Sequence, residues 1–229
     1  MEWLWQILAL ILGLGKQGAV ISETTVQGYA VEIVEVINPA KLELIPNYSE
    51  KVTVKNLVEQ NNCQAAINGG FYDTTNKPLG LVVTKGNVTA EEKLNRLFDG
   101  VVWTTDKKMG VSRGKPMENI SFAVQTGPML IDEQQVISLK LTEDKNARRM
   151  TAISDGERLW FAAIYDKESP VNGPLLTDLP EIIKDIGTQK EWTITEAVNL
   201  DGGLASAFYS PEVNLVEFAP VGSLWCIKK

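Results

Sequence analysis

"AVNLDGGLASAFY", residues 197–209, carries an apolar run of β character into an aspartate, and the aspartate straight into two glycines. Adjacent glycines weaken a strand, because they bring no side chain to pack and lose the most backbone freedom on folding. Their place beside a carboxylate at a strand end therefore needs a reason. Residues 65–73, "AAINGGFYD", repeat the arrangement: apolar strand, asparagine, glycine pair, aromatic. Each stretch also follows a segment with helical spacing, so the chain reads as two helix–strand–glycine units delivering polar groups to one place. Two unrelated tight turns would look the same, since Asn-Gly and Asp-Gly are common turn formers. What favours a site is that glycines at a strand end let a ligand approach and leave N–H groups free to face anionic oxygens. Gly69 and Gly202 are accordingly expected to need glycine's backbone freedom.

Outward from these two stretches the pattern is alternating and globular. "YAVEIVEVI" (29–37) alternates apolar and charged residues, as a half-buried strand does. "TVKNLVEQNN" (53–62) predicts a helix behind a Thr53 N-cap, and "AEEKLNRLF" (90–98) a second, short one. "LGLVVTKGNVT" (79–89) predicts a hairpin turning at Lys85-Gly86-Asn87. "GVVWTTD" and "MGVSR" read as strands, "SFAVQTGPMLI" (121–131) as a strand broken at Gly127-Pro128, and "RMTAISD" with "RLWFAAIYD" as a hairpin. Thr177 is expected to cap a helix over "DLPEIIKDIG", with Pro180 in its first turn and Gly187 at its stop; "ITEAVNL" and "SLWCIKK" then close the chain as strands. With no linker and no low-complexity segment, residues 26–229 read as one α+β domain: a mixed, largely antiparallel sheet with a few short helices.

Composition excludes several functions. The 229 residues carry 22 Lys and Arg against 29 Asp and Glu, a net charge of −7, which argues against nucleic acid or an anionic membrane as partner. Histidine is absent, which removes Ser-His-Asp and Cys-His nucleophiles and any His-ligated zinc. Catalysis would have to use carboxylates, arginine, amides, hydroxyls and backbone dipoles. Cys63 and Cys226 lack CxxC spacing, and one pair is no disulfide framework, so two buried thiols are the favoured reading over a disulfide. Residues 1–20 form a separate piece. "WLWQILALILGLG" (3–15) is short for a spanning helix but suits a signal-peptide core, although no basic residues precede it and no clean cleavage site follows. Export or membrane anchoring through this segment is expected, with an amphipathic helix packed on the domain as the other reading.

Four ordered motifs, "INGGFYD", "QTGPMLI", an Arg ahead of "TAIS", and "AVNLDGG" followed by Ser206, resemble the phosphodiester glycosidase domain over roughly residues 26–229. That family includes the mammalian mannose-6-phosphate uncovering enzyme and bacterial exopolysaccharide-associated proteins. The resemblance implies an α+β fold and a hydrolase that cleaves a sugar joined through its anomeric carbon to a phosphodiester, here in cell-envelope or exopolysaccharide material. Motif by motif it implies a site built from Asn68, Gly69, Gly70, Phe71 and Asp73, then Gln125, Thr126, Gly127 and Pro128. Arg148 or Arg149 would follow, then Asn199, Asp201, Gly202, Gly203 and Ser206. Arg149 is followed by Met150 where members commonly have Thr, which leaves open which arginine meets phosphate. Leu204 and Ala205 also depart from the Gly and Ser common in the family.

The chemistry can be argued without the family. Departure from an anomeric carbon builds positive charge on the sugar and negative charge on the phosphate, and two carboxylates usually share the work. A phosphate leaving group is weakly basic, so an arginine can stabilise it directly. Asp201 is the first choice for the carboxylate at the anomeric centre, with Asp73 second and Arg149 at the phosphate. Each aspartate has an alternative as a turn residue satisfying backbone N–H groups. Asn68 and Asn199 would bond sugar hydroxyls or cap strand ends, and Phe71 and Tyr72 offer a face for the ring or belong to the core. Asp/Asn clusters leave a hard cation such as calcium open; no other cofactor is implied. A non-catalytic glycan-binding module on the same fold is the alternative function.

Overall fold

A computed structural model describes residues 18–93, 95–116 and 119–229, so the expectations for residues 3–15 lie outside the described residues. Three antiparallel sheets of seven, five and five strands make up the domain, with two α-helices, Val54–Gln60 and Leu179–Lys190, among the described residues. The chain is thus richer in β structure than the expected α+β balance. Among the described residues no helix is long and apolar enough to cross a membrane.

The seven-stranded sheet is built round the expected hairpin of Arg149–Ser154 and Leu159–Tyr165, all of whose residues are buried. Alternation along these strands serves two apolar layers. Met150, Ala152, Phe161 and Ala163 face the main core, while Ile153, Trp160, Ala162 and Ile164 meet the long helix. That helix answers with Leu179, Ile182, Ile183 and Ile186, the i, i+3, i+4, i+7 stripe of a one-sided helix. Each such side chain stabilises the packing by roughly 1.5–3 kcal/mol. Tyr29–Val36 pairs with Leu159–Tyr165 and is covered on both faces, so the expected half-buried strand is buried at all but Tyr29 and Glu35, Glu32 included. Tyr165 Oη donates to Glu32 Oε1 at 3.2 Å, and burial holds this carboxyl above its ordinary pKa range.

Local signals held where nothing distant competed. Thr53 caps the first helix through Asn56 N–H, and Lys85 and Gly86 turn the hairpin with φ of 49° and 78°, the pair of positive values a two-residue hairpin turn requires. The helix expected over 90–98 is absent from the described part of that stretch. Its backbone is recruited by Gln125, whose amide bonds Lys93 N, Lys93 O and Phe98 O. Thr177 does not cap the long helix: its N–H and hydroxyl both go to Asp144 Oδ2, at 2.8 and 2.9 Å. Gly187 lies inside that helix rather than at its stop, and Ile194 packs against the space a side chain there would fill; the helix ends at Lys190, with Glu191 left-handed at φ 58°.

The cysteines are a further correction. Cys63 and Cys226 form a disulfide across paired strands Cys63–Asn68 and Ser223–Lys228, with Cα atoms 5.5 Å apart. The antiparallel register, which sets Cys226 opposite Ala66 and Lys228 opposite Cys63, brings together residues 163 apart in sequence.

Candidate active site

The two glycine units meet. Strand Cys63–Asn68 belongs to a five-stranded sheet and strand Glu196–Asn199 to the seven-stranded one, and their glycine turns touch where the sheets abut. Asp201 N donates to Gly69 O at 3.1 Å, and Asn68 Nδ2 donates to Asp201 O at 2.7 Å. Gly127-Pro128 is the third piece. Strand Phe122–Thr126 ends in the other five-stranded sheet, a cis peptide follows, and Met129–Asp132 joins the seven-stranded sheet. Asn199 fastens this crossing, its N–H to Pro128 O and its Nδ2 to Gly127 O, both at 3.0 Å, while Thr126 Oγ1 bonds Asn199 O at 2.8 Å. Hence all the motifs converge on one junction of three sheets.

A cleft of about 340 Å³ opens at that junction, and Asp201, Gly202, Gly203, Asn199, Arg149, Asp144 and Phe71 line it. Asp201 is the group most altered by its surroundings: burial pushes its carboxyl up to about 7, against a single opposing hydrogen bond from Gly202 N–H at 2.9 Å. Its charge in turn adds to the burial that raises the Tyr48 phenol to about 12 and the Tyr72 phenol upward. Both tyrosines therefore lie within electrostatic reach of the aspartate. Their rings flank Gly222, where a Cβ would lie 2.7 Å from Tyr72 and 2.8 Å from Tyr48.

Arg148, just ahead of the strand Arg149–Ser154, and Arg149, its first residue, point opposite ways. Arg148 is buried and spends its guanidinium on Ser206 Oγ, Ser206 O, Val216 O and Pro170 O. Arg149 reaches the cleft. Its Nε bonds Pro174 O at 3.0 Å, and its Nη2 bonds Lys145 O at 2.6 Å and Asp144 Oδ1 at 3.2 Å. Nη1 has no hydrogen bond to a described residue and lies about the turn of Gly202, 4.0 Å from where a Cβ there would sit. Burial lowers the affinity of both guanidinium groups for their proton. Asp144 is the anchor: burial works against its charge, but the Thr177 and Leu176 N–H groups, the Thr177 hydroxyl and Arg149 together keep its carboxyl below the ordinary range.

Several motif residues hold the site rather than face it. Gln125 has all four of its amide hydrogen bonds taken by Leu81, Lys93 and Phe98, and Ser206 is committed to Arg148 and Gly203 O. Asn68 binds Asp201 O, Gly69 O and Ala207 N. Asp73 is not among the residues lining the cleft; its Oδ1 takes Lys77 N, Thr75 N and the Thr75 hydroxyl, which hold its pKa down. That is the turn role. Glu143, which no motif singles out, does line the cleft. Among the described residues no group of three or more Cys, Asp or Glu side chains is placed to hold a metal ion.

The glycines divide by cause. Gly203 is left-handed at φ 62°, whereas Gly202 is extended at φ −126°, a conformation open to any residue, so the expected strain at 202 is absent. At Gly69 a Cβ would fall 2.3 Å from Ser223 Oγ, and at Gly70 2.5 Å from Gln125 O. Gly69→Ala should therefore lower stability by about 1–3 kcal/mol through overpacking. Gly202→Ala, whose Cβ meets Arg148 O at 3.4 Å and Arg149 Nη1 at 4.0 Å, both ordinary contacts, should leave the thermal midpoint nearly unchanged yet weaken ligand binding in the cleft. Thermal unfolding beside a ligand titration separates the two, and equal destabilisation by both would remove Gly202 from the cleft floor.

The phosphodiester glycosidase family model matches residues 61–227. Among solved structures, the catalytic domain of zebrafish N-acetylglucosamine-1-phosphodiester alpha-N-acetylglucosaminidase, auto-inhibited by its pro-peptide, superposes with a TM-score of 0.67 at 17% identity, covering 92% of this chain and 82% of that one. A hypothetical protein from Synechocystis superposes with a TM-score of 0.58 at 13% identity, covering 91% and 62%. The uncharacterized protein YigE of Escherichia coli K12 is 36% identical over 83 residues, 32% of this chain; the match spans only a third (33%) of that relative's length. At these identities the structural likenesses establish the fold.

Proposed function

We propose, for a chain that belongs to the phosphodiester glycosidase family, that it hydrolyses the bond between a sugar's anomeric carbon and a phosphodiester. One observation carries this reading. A carboxyl with its pKa near 7 and a guanidinium nitrogen without a partner among the described residues line one small cleft, with the bare backbone of Gly202 between them. The phosphate lies against Arg149 Nη1, which neutralises the charge that grows on the departing oxygen. The anomeric carbon lies against Asp201. Because phosphate leaves without needing a proton, Asp201 works as the carboxylate, stabilising positive charge on the sugar and receiving it or activating water. Raised proton affinity then has a definite sign: the active ionised form prevails only above about pH 7. The value of kcat/KM should rise through that pH and level off.

The substrate is glycan of the cell envelope or an exopolysaccharide, and the protein works outside the cytoplasm, released or held through residues 3–15. The Cys63–Cys226 disulfide supports this placement, since such bonds persist in oxidising compartments. Incubation with a panel of sugar 1-phosphate diesters, followed by assay for free reducing sugar, tests the activity. Binding without release of sugar from any member would leave a glycan-binding module in its place.

A further inference from the structure

A second cavity, of about 440 Å³, lies between the helix Leu179–Lys190, the edge strand Gln135–Val136 and its neighbour Met129–Asp132. It is separate from the cleft: the two have no lining residue in common. Trp192 forms one wall. Its ring stacks on the fully buried Trp160 with centroids 4.1 Å apart and planes 16° from parallel, which fixes the indole in place. Gln134 and Gln135 stand at the rim, exposed, and their side-chain amides have no partner among the described residues. The charged lining residues, Lys184 and Glu181, are paired with each other at 2.9 Å.

We propose that this cavity is a second saccharide-binding site, taking one or two uncharged sugar units of a longer glycan. The lining discriminates between ligand classes. An anion or a cation finds no unpaired opposite charge among the lining residues, and a wholly apolar ligand makes no use of the two glutamine amides. A sugar has an apolar C–H face for the indole and hydroxyls that both donate and accept, as an amide does. The volume falls in the lower range of small-molecule pockets, as a mono- or disaccharide requires. This site does not rest on the chemistry of the cleft.

The test uses the full chain and tetrasaccharides of glucose, mannose, galactose and N-acetylglucosamine as probes, following the Trp192 indole N–H by NMR without any turnover. At least one probe should shift that signal in a saturable way. Gln134→Ala with Gln135→Ala should weaken that binding roughly tenfold, the loss expected of two hydrogen bonds, without disturbing the fold, since both side chains are exposed. Asp201→Asn should leave it unchanged. The inference is overturned if no probe moves the indole signal, or if the double variant binds as tightly as the parent.

Discussion

Asp201→Asn should lower turnover of a sugar 1-phosphate diester by about a thousandfold or more while making the protein more stable at pH 8. The first effect follows from removing charge and basicity at the reacting carbon in an isosteric swap. The second follows from proton linkage. The Asp201 carboxyl has a pKa near 7 in the folded chain, against an ordinary 3.8, because burial disfavours its charge. Between those values the folded chain keeps a proton that the unfolded chain has lost. The stabilisation from that proton is complete below about pH 4 and is lost as pH rises through 7. Above pH 7 the wild-type protein holds an ionised, poorly hydrated carboxylate, at a cost of up to about 4 kcal/mol, less to the extent that water reaches this partly exposed group. Asparagine has no such charge and keeps an oxygen for Gly202 N–H. Denaturant unfolding at pH 5 and pH 8 should therefore show the variant's advantage growing with pH. A variant equally destabilised at both values, or one that keeps most of its rate, would remove Asp201 from the role assigned to it.

Sequence resolved the elements whose contacts are local. The Arg149–Ser154 and Leu159–Tyr165 hairpin, the Lys85-Gly86 turn and the break at Gly127-Pro128 follow from period and turn chemistry, and all are present. Where a distant group competes, pattern fails. Nothing near residues 90–98 announces that the Gln125 amide, 32 residues from Lys93, will take the backbone groups a helix would need. Glu32 sits in an alternating strand, yet Tyr165, 133 residues away, receives it inside the core. The thiols of Cys63 and Cys226 carry no mark of the strand register that joins them.

The site shows the same division. Motif order led to Asp201, Asn199, Phe71, Arg149, Gly202 and Gly203, and the structure brings them to one cleft. A motif cannot distinguish a residue that faces a ligand from one that holds the facing residue, and Gln125, Ser206, Asn68 and Arg148 are of the second kind in this fold. Asp73 resembles Asp201 in sequence because each neighbours a glycine-rich turn, but one carboxylate closes its own loop and the other opens onto the cleft. Glu143, Asp144 and Tyr48 reach the neighbourhood of Asp201 from segments without any repeated pattern. Only the meeting of three sheets could locate them.

The arginine pair offers the sharpest separation of reading from holding. Arg149→Lys should lower kcat/KM for a phosphodiester substrate about a hundredfold, in line with loss of a transition-state hydrogen bond, and hardly alter cleavage of an uncharged activated glycoside. A guanidinium can in general grip two phosphate oxygens, but here Nε and Nη2 are committed to Pro174 O, Lys145 O and Asp144. Only Nη1 faces outward, held in place by the other two nitrogens. A lysine cannot both keep those anchors and reach the phosphate, which is why the exchange is not conservative here. Asp144→Asn gives the control. It weakens the anchor without removing the Nη1 donor, so its cost should be smaller and should fall on the same phosphodiester substrate. Arg148→Lys should act differently again, lowering stability without changing substrate choice, because its guanidinium is buried among four protein acceptors and reaches no ligand. If Arg149→Lys impairs both substrates equally, Arg149 serves only to fasten the 144–149 segment to Pro174. If instead the phosphodiester-specific loss follows Arg148→Lys, the phosphate approaches from the opposite face of the strand, and the cleft beside Gly202 is not where it binds.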